Sequence, residues 1–437
     1  MNSIKRAGFL ASAVTLSFGA TTLADVTTDT VNEDLRIEVA QLRAEVARMS
    51  ASETDNWLTE QRATQIRGLV NDVLADADTR ASLLQSGAGA GWDNGFFLAS
   101  PDGNFRLNLA GQIQTRYAFN YTENGPDQYR AGFVLPNTQL FFSGHVVDPT
   151  WQYMIQLNYG NAVTTGVLQD AYVTKDLENG WSVTVGQFKA PLLRETLIFS
   201  GHQLAVDRSL IESTFGGGRT QGIAVAYETD QWRMVASFND GAATSNTGAL
   251  VYDTEWSFTA RGEFLAAGTW EQFQDYTSWN GEEYGALIGG ALHYQSGEYG
   301  TAATETETFI ATIDAQIEGG GWNAAGYFVY RSLDVNGGTN ADQYGFVVQG
   351  GINLAEDTEL FGRFEYGDDD TAADELMIIT VGINKYFAKH QVKWTTDVGF
   401  ALDGVTATFA DATKDWRTTP TTNDSEYVIK TQLQLLF

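Results

Sequence analysis

Cysteine is absent from this chain, which excludes a disulfide framework and any thiolate metal site. Histidine is nearly absent too. His145, His202, His293 and His390 are isolated and share no ligand spacing, so the sequence offers no metal centre and no cofactor site. No nucleophile elbow or other hydrolase motif occurs, and Gly216-Gly217-Gly218 lacks the Lys-Ser/Thr of a phosphate-binding loop, so an enzyme is not expected. Basic residues are scarce: 26 Lys and Arg stand against 55 Asp and Glu, a formal net charge of −29. A chain so acidic is a poor partner for nucleic acid. Divalent cations, or lipid headgroups bridged by them, are its more natural counter-ions. After the N-terminus no apolar run approaches the ~20 residues that a membrane helix needs.

Aromatic residues and glycine are plentiful instead: 25 Phe, 18 Tyr, 11 Trp and 45 Gly among 437 residues, with only 6 Pro. Many aromatics at moderate hydropathy fit a membrane barrel, where alternate residues face lipid. The last eleven residues show the pattern most clearly. Tyr427, Ile429, Thr431, Leu433, Leu435 and Phe437 share one face, and Val428, Lys430, Gln432, Gln434 and Leu436 share the other. Such a strand lies between an apolar and a polar medium, and ending on an aromatic carboxyl terminus it is similar to the closing strand of an outer-membrane barrel. The first strand, 104–120, repeats the alternation. Phe105, Leu107, Leu109, Ile113, Tyr117 and Phe119 lie opposite Arg106, Asn108, Gln112, Gln114 and Arg116.

Fourteen more segments read the same way, at 132–145, 151–160, 167–175, 181–188, 220–229, 231–239, 254–264, 285–295, 306–316, 321–332, 342–353, 358–367, 375–386 and 390–400. The total is sixteen, an even number as single-chain barrels require. Short turns such as Asp148-Pro149-Thr150 and Ala355-Glu356-Asp357 alternate with long acidic loops, the longest early one at 189–219. Residues 265–284 break this rhythm, being long on the short-turn side, and an interfacial segment at the periplasmic rim is expected there. Trp151, Trp181, Trp232, Trp256, Trp322, Trp394 and Tyr427 would form the aromatic girdles. The acidic run Asp368-Asp369-Asp370, with Asp374 and Glu375, reads as a solvated loop before a Ca²⁺ site.

Upstream of the strands the texture differs. Lys5 and Arg6, the apolar stretch Phe9–Phe18 and Thr22-Leu23-Ala24 read as a signal peptide over residues 1–24. Residues 25–90 read as a helical periplasmic segment. Within it Leu35, Val39, Leu42, Val46 and Met49 make a short heptad seam. That seam either pairs as a coiled coil in an oligomer or folds back on the barrel.

Residues 189–219 carry the chemistry. The loop is amphipathic and relatively rich in cations, and inside a wide barrel it would fold inward as a constriction where charge discriminates strongly. By alternation Arg106, Arg116, Arg233, Arg261 and Arg363 also face the lumen. Glu195, Asp207 and Glu212 lie beside the loop cations. Two arrangements stay open: cations offered to solute, or internal ion pairs that tuck the loop against the wall.

The run GQFKAPLLRE, then DRSL, then GGGRTQG resembles the signature region of the phosphate-selective porin O and P family of trimeric sixteen-stranded channels. The opening GWDNGFFLASPDGNFRLNLAGQIQTRYAF is similar to that family's first-strand pattern. The resemblance covers about residues 92–437, and the helical segment resembles versions with a coiled-coil extension. It implies that Lys189, Arg194, Arg208 and Arg219 occupy the anion-binding loop positions, with the five wall arginines extending a basic track. The expectation is an all-β, sixteen-stranded antiparallel barrel at 91–437, in the outer membrane and homotrimeric. It would pass small hydrophilic or anionic solutes such as phosphate without a cofactor. A different class of function is an envelope tether, contacting the cell wall through residues 31–86.

Overall fold

Alternation of apolar and polar residues over ten or more positions commits a segment to a strand with two unlike faces, and the fold is built almost wholly from such segments. The computed structural model describes residue 37 and residues 40–44, 89–93, 95–124, 127–160, 166–248, 253–298, 305–371, 375–419 and 425–437. They divide into a barrel unit, Ala90–Ala99 and Gly103–Phe437, and a second unit drawn from Ser17–Gly89 and Ser100–Asp102. Residue 37 and residues 40–44 are helical, with Ile37 and Leu42 exposed. The rest of the expected coiled coil and the expected signal peptide lie outside the described residues.

The strands are β1 (Gly89–Trp92), β2 (Phe96–Ala99), β3 (Arg106–Thr122), β4 (Tyr129–Val134), β5 (Thr138–His145), β6 (Trp151–Asn158), β7 (Val167–Asp176), β8 (Trp181–Lys189), β9 (Arg219–Glu228) and β10 (Trp232–Asn239). They continue with β11 (Asp253–Ala267), β12 (Gly285–Glu298), β13 (Thr306–Gly319), β14 (Trp322–Val335), β15 (Ala341–Ala355), β16 (Thr358–Asp368), β17 (Leu376–Ala388), β18 (Val392–Ala401) and β19 (Glu426–Leu436). Where one strand was expected at 132–145, β4 and β5 share a single edge of β3. They are interrupted around Pro136, which has no N–H to give the ladder. Counting that pair as one staved unit, β3 to β19 form sixteen antiparallel wall strands, the expected number.

The wall closes on itself. β19 pairs with β3 from Glu426↔Thr122 to Leu436↔Gln112. The terminal Phe437 then exchanges both backbone hydrogen bonds with Gly111, at 2.7 and 3.0 Å. Glycine is needed at 111 because a Cβ there would collide with the Phe437 ring. No edge is left on the cylinder.

Outside, the wall is apolar. Ile113, Val185, Ile288, Ile313, Val348, Val381 and Leu433 are all exposed. The six tryptophans expected in the girdles are exposed as well. Two of them pack at a tilt against their cross-strand partners, Trp181 on Tyr227 and Trp232 on Phe264, with centroids 4.8 and 4.6 Å apart. Such a belt suits the boundary between hydrocarbon and water. Inside, Gln112, Gln114, Arg116 and Asn120 of β3 are buried, with Lys430, Gln432 and Gln434 of β19 beside them.

The wall is uneven in height: β5–β10 run eight to ten residues, whereas β11–β15 run fourteen or fifteen. The long connection between β8 and β9 springs from the short side and crosses to the tall one.

Candidate pore constriction

Residues 190–218 leave the wall after Lys189 and return at Arg219, and their core is almost solvent-free. Two short helices shape the loop, α1 (Arg194–Leu197) and α2 (Leu210–Phe215). Ser209 caps α2 by accepting from the Glu212 N–H at 2.9 Å, a standard way to satisfy a free helix-start donor.

Glu195 is the hub. Completely buried, it accepts from Ser209 N, Ser209 Oγ and the Tyr327 hydroxyl at 2.8, 2.6 and 2.8 Å, and Arg363 lies 3.7 Å away. Arg363 donates to the Asp207 carbonyl, and Leu210 N donates to Glu365 at 2.7 Å. The loop is therefore pinned to β14 and β16 on the far wall. Asp207 pins it to the closing seam through Arg116 and, at 2.9 Å, Lys430. Burial alone would raise the Asp207 carboxyl, but Arg116 and Lys430 overcome it and hold the group well below the usual carboxylate range. For Glu212 the same opposition, with Lys414 and Arg208 outweighing burial, leaves the pKa at about 2.

Two segments that sequence reasoning did not bring inward meet this loop. Residues 268–284 turn into the lumen from the short-turn side, instead of lying along the rim as expected. Phe273 and Tyr276 are buried, the Phe273 carbonyl accepts from Arg194, and Tyr276 N donates to the His202 carbonyl. Residues 402–419 fold in from the opposite side, where Val405, Phe409 and Trp416 pack with Leu192, Leu210, Ile211 and Phe215 of the loop and with Val329, Val347 and Ile378 of the wall. Part of the lumen is thus a dry apolar core.

The four loop cations are placed differently. Lys189 donates only to the Leu197 carbonyl, at 3.1 Å. Arg208 donates to the Glu195 and Ile198 carbonyls, at 2.8 and 2.6 Å. Among the described residues neither has a carboxylate within ion-pair distance. Arg194 is held by Gln316 and, at 3.5 Å, Glu263. Arg219 is paired with Asp170 at 2.7 Å.

Every wall arginine of the expected track carries an acidic partner. Arg106 meets Asp93, Arg233 meets Glu228, Arg261 meets Glu263 and Asp314, and Arg363 meets Glu365. Arg116 meets both Asp207 and Asp415. Arg106 also covers Phe97, and Arg233 covers Trp270. Further inward cations went unnoticed in the sequence. Arg331 lies over the Phe215 ring at 4.6 Å and donates to Gln343 and to the Thr214 carbonyl, and Lys393 donates to the Gln203 carbonyl at 2.8 Å. Their alternation with outward Tyr330 and Trp394 was the available signal.

Where the loop meets residues 268–284 sits a histidine pair. The rings of His202 and His390 are 4.6 Å apart, and Asp275 lies 3.2 Å from His390 Nε2. Burial pushes His202 down to about 3 and His390 well below its usual range, while burial raises Asp275 to about 6. Between pH 6.5 and 3 the unfolded chain takes up imidazole protons that the folded pair refuses, so stability is lost as pH falls through that window. Asp275 runs the other way, protonating in the folded state below 6, and offsets one of the two histidines. The expected result is a melting midpoint that falls from pH 6.5 to 4 in detergent, and a flatter profile in the His202→Gln, His390→Gln double variant.

A closed sixteen-stranded cylinder with an apolar exterior, a polar inner wall and loops folded into its lumen is an outer-membrane channel, a class without enzymatic function. The chain belongs to the phosphate-selective porin O and P family, whose model matches residues 107–437. No curated protein matches the sequence. Solved structures share the fold at low identity. The anion-selective porin from Comamonas acidovorans aligns with TM-score 0.56 at 12% identity, covering 76% of this chain and 99% of that one. The outer-membrane channel DcaP of Acinetobacter baumannii gives 0.52 at 12%, covering 80% and 100%. The outer-membrane expressed OmpT of Vibrio cholerae gives 0.51 at 13%, covering 76% and 98%.

Proposed function

We propose that this channel lets small hydrophilic solutes diffuse passively across the outer membrane and prefers anions, phosphate among them. One observation supports the sign. Arg208 stands half-buried in the inward loop with its guanidinium on two backbone carbonyls and, among the described residues, no carboxylate within ion-pair distance. A guanidinium keeps its charge at any physiological pH, and in a narrow passage of low effective dielectric a charge not tied into a direct ion pair biases ion traffic. Arg194 and Arg219, being paired, shape the loop and contribute less charge. The acidic outer loops oppose the bias from a distance, where salt screens them over about 8 Å at physiological ionic strength.

The mature protein would carry residues 25–90 as a periplasmic segment after removal of residues 1–24, and would assemble as a homotrimer. Reversal potential in a planar bilayer under a KCl gradient tests the selectivity. Wild type is expected to favour chloride, and Arg208→Glu to move the reversal potential toward that of potassium. Cation preference in wild type, unchanged in Arg208→Glu, would remove the anion reading while leaving the channel.

A further inference from the structure

Twelve buried side-chain nitrogen and oxygen atoms lack a hydrogen-bond partner among the described residues, and six of them lie on three adjacent strands, β18, β19 and β3. The other six are scattered over six residues elsewhere. The stripe carries both signs of demand. Arg116 Nε, Arg116 Nη2 and Gln112 Nε2 are donors without acceptors, while Gln432 Oε1, Asp397 Oδ1 and Glu426 Oε2 are acceptors without donors. A buried group left in that state costs ~1–3 kcal/mol, so this seam calls for polar matter of both kinds.

Arg116 gives the stripe its chemistry. Its Nη1 holds Asp207 and Asp415. Nε and Nη2, the two parallel N–H groups of the side-on edge, stay free although the side chain is fully buried. That edge is the fork that binds a carboxylate through two hydrogen bonds. Gln432 lies directly opposite Arg116 in the β3–β19 ladder, and Asp397 lies opposite Lys430, one inward position farther along. Asp207 joins the Arg116 guanidinium to the Lys430 ammonium opposite Asp397, so the fork and the free acceptors belong to one neighbourhood of the seam.

We propose that the closing seam is a subsite for small zwitterions of the amino-acid class, with the carboxylate on Arg116 Nε and Nη2 and the ammonium on Gln432 Oε1 and Asp397 Oδ1. The inference rests on the channel reading and adds a solute class on a wall away from Arg208. An anion satisfies only the donors of the stripe, and a cation only the acceptors.

L-Alanine and lactamide are near-isosteres, one zwitterionic and one uncharged, and both enter proteoliposomes without a counter-ion. Swelling rates of vesicles holding the full chain should favour alanine over lactamide by about threefold, the worth of roughly one added hydrogen bond. Arg116→Lys keeps the charge against Asp207 and removes the fork. Gln432→Leu removes the opposite acceptor and touches no ion pair. Each should bring the ratio close to one. Equal rates for the two solutes in wild type, or a preference that survives both variants, would overturn the subsite and leave the channel standing. No entry of either solute would overturn the channel reading itself and the subsite with it.

Discussion

Arg116→Ala is expected to loosen two loops at once and to raise single-channel conductance with added current noise. Arg116 is fully buried on β3 and donates through one nitrogen to Asp207 of the 190–218 loop and to Asp415 of the 402–419 segment, the latter at 2.9 Å. Deleting one member of a buried charge cluster leaves the others desolvated and unpaired, at a cost of about 3–5 kcal/mol. Asp207 would keep Lys430, and the Asp415 carbonyl would keep the Asn120 amide. With only those single contacts left at the seam, both loops should loosen there while the barrel stays closed through the β19–β3 ladder. Asp207→Asn and Asp415→Asn should each reproduce part of the change. Combining either with Arg116→Ala should add little, because sites sharing a partner are not additive. Full additivity in that cycle, or wild-type conductance in Arg116→Ala, would show that the arginine is not the link.

The barrel was legible because lipid and lumen impose opposite demands on successive residues, and every wall strand must answer both. The strand order followed from the alternation of short and long connections. Direction inside a loop has no such rhythm. Residues 268–284 and 402–419 gave no sign of turning inward, since a tryptophan in a loop reads the same at a rim as in a plug. A faint trace did exist on the wall. Val329, Val347, Ile378 and Val428 occupy inward positions that a water-filled lumen would keep polar, and they are the residues against which the loops pack. The pairing of the arginines was hidden for another reason. Arg116 and Asp415 are 299 positions apart and Arg261 and Asp314 are 53 apart. Closure of the cylinder makes the first pair neighbours, and the β11–β12–β13 meander the second. Inward orientation could be read from a two-residue period, and neutralisation could not.

The same packing exposes the loop to attack from its apolar side. Ile211, fully buried on α2, projects onto β15 and β16 at the point where two wall residues are glycine. A Cβ at Gly367 would lie 2.7 Å from Ile211 Cδ1 and equally close to the Phe409 ring, so the wall is hollowed to receive both loops. Ile211→Asp places a carboxylate in that hollow. Leu376, Ile378, Phe409 and Val347 belong to the cluster around it and offer no side-chain donor. Desolvating an unpaired carboxylate costs far more than the several kcal/mol that seat one loop, so the helix should leave the hollow with the charge. Ile211→Val, which removes one methylene, should cost only ~0.5–1.5 kcal/mol and leave conductance near wild type. The expected readout is a large rise in conductance for Ile211→Asp, together with protease cleavage within 190–218 and an intact heat-modifiable barrel on gels. If Ile211→Asp kept wild-type conductance and resisted protease as the parent does, the apolar cluster would not be what holds the constriction in place.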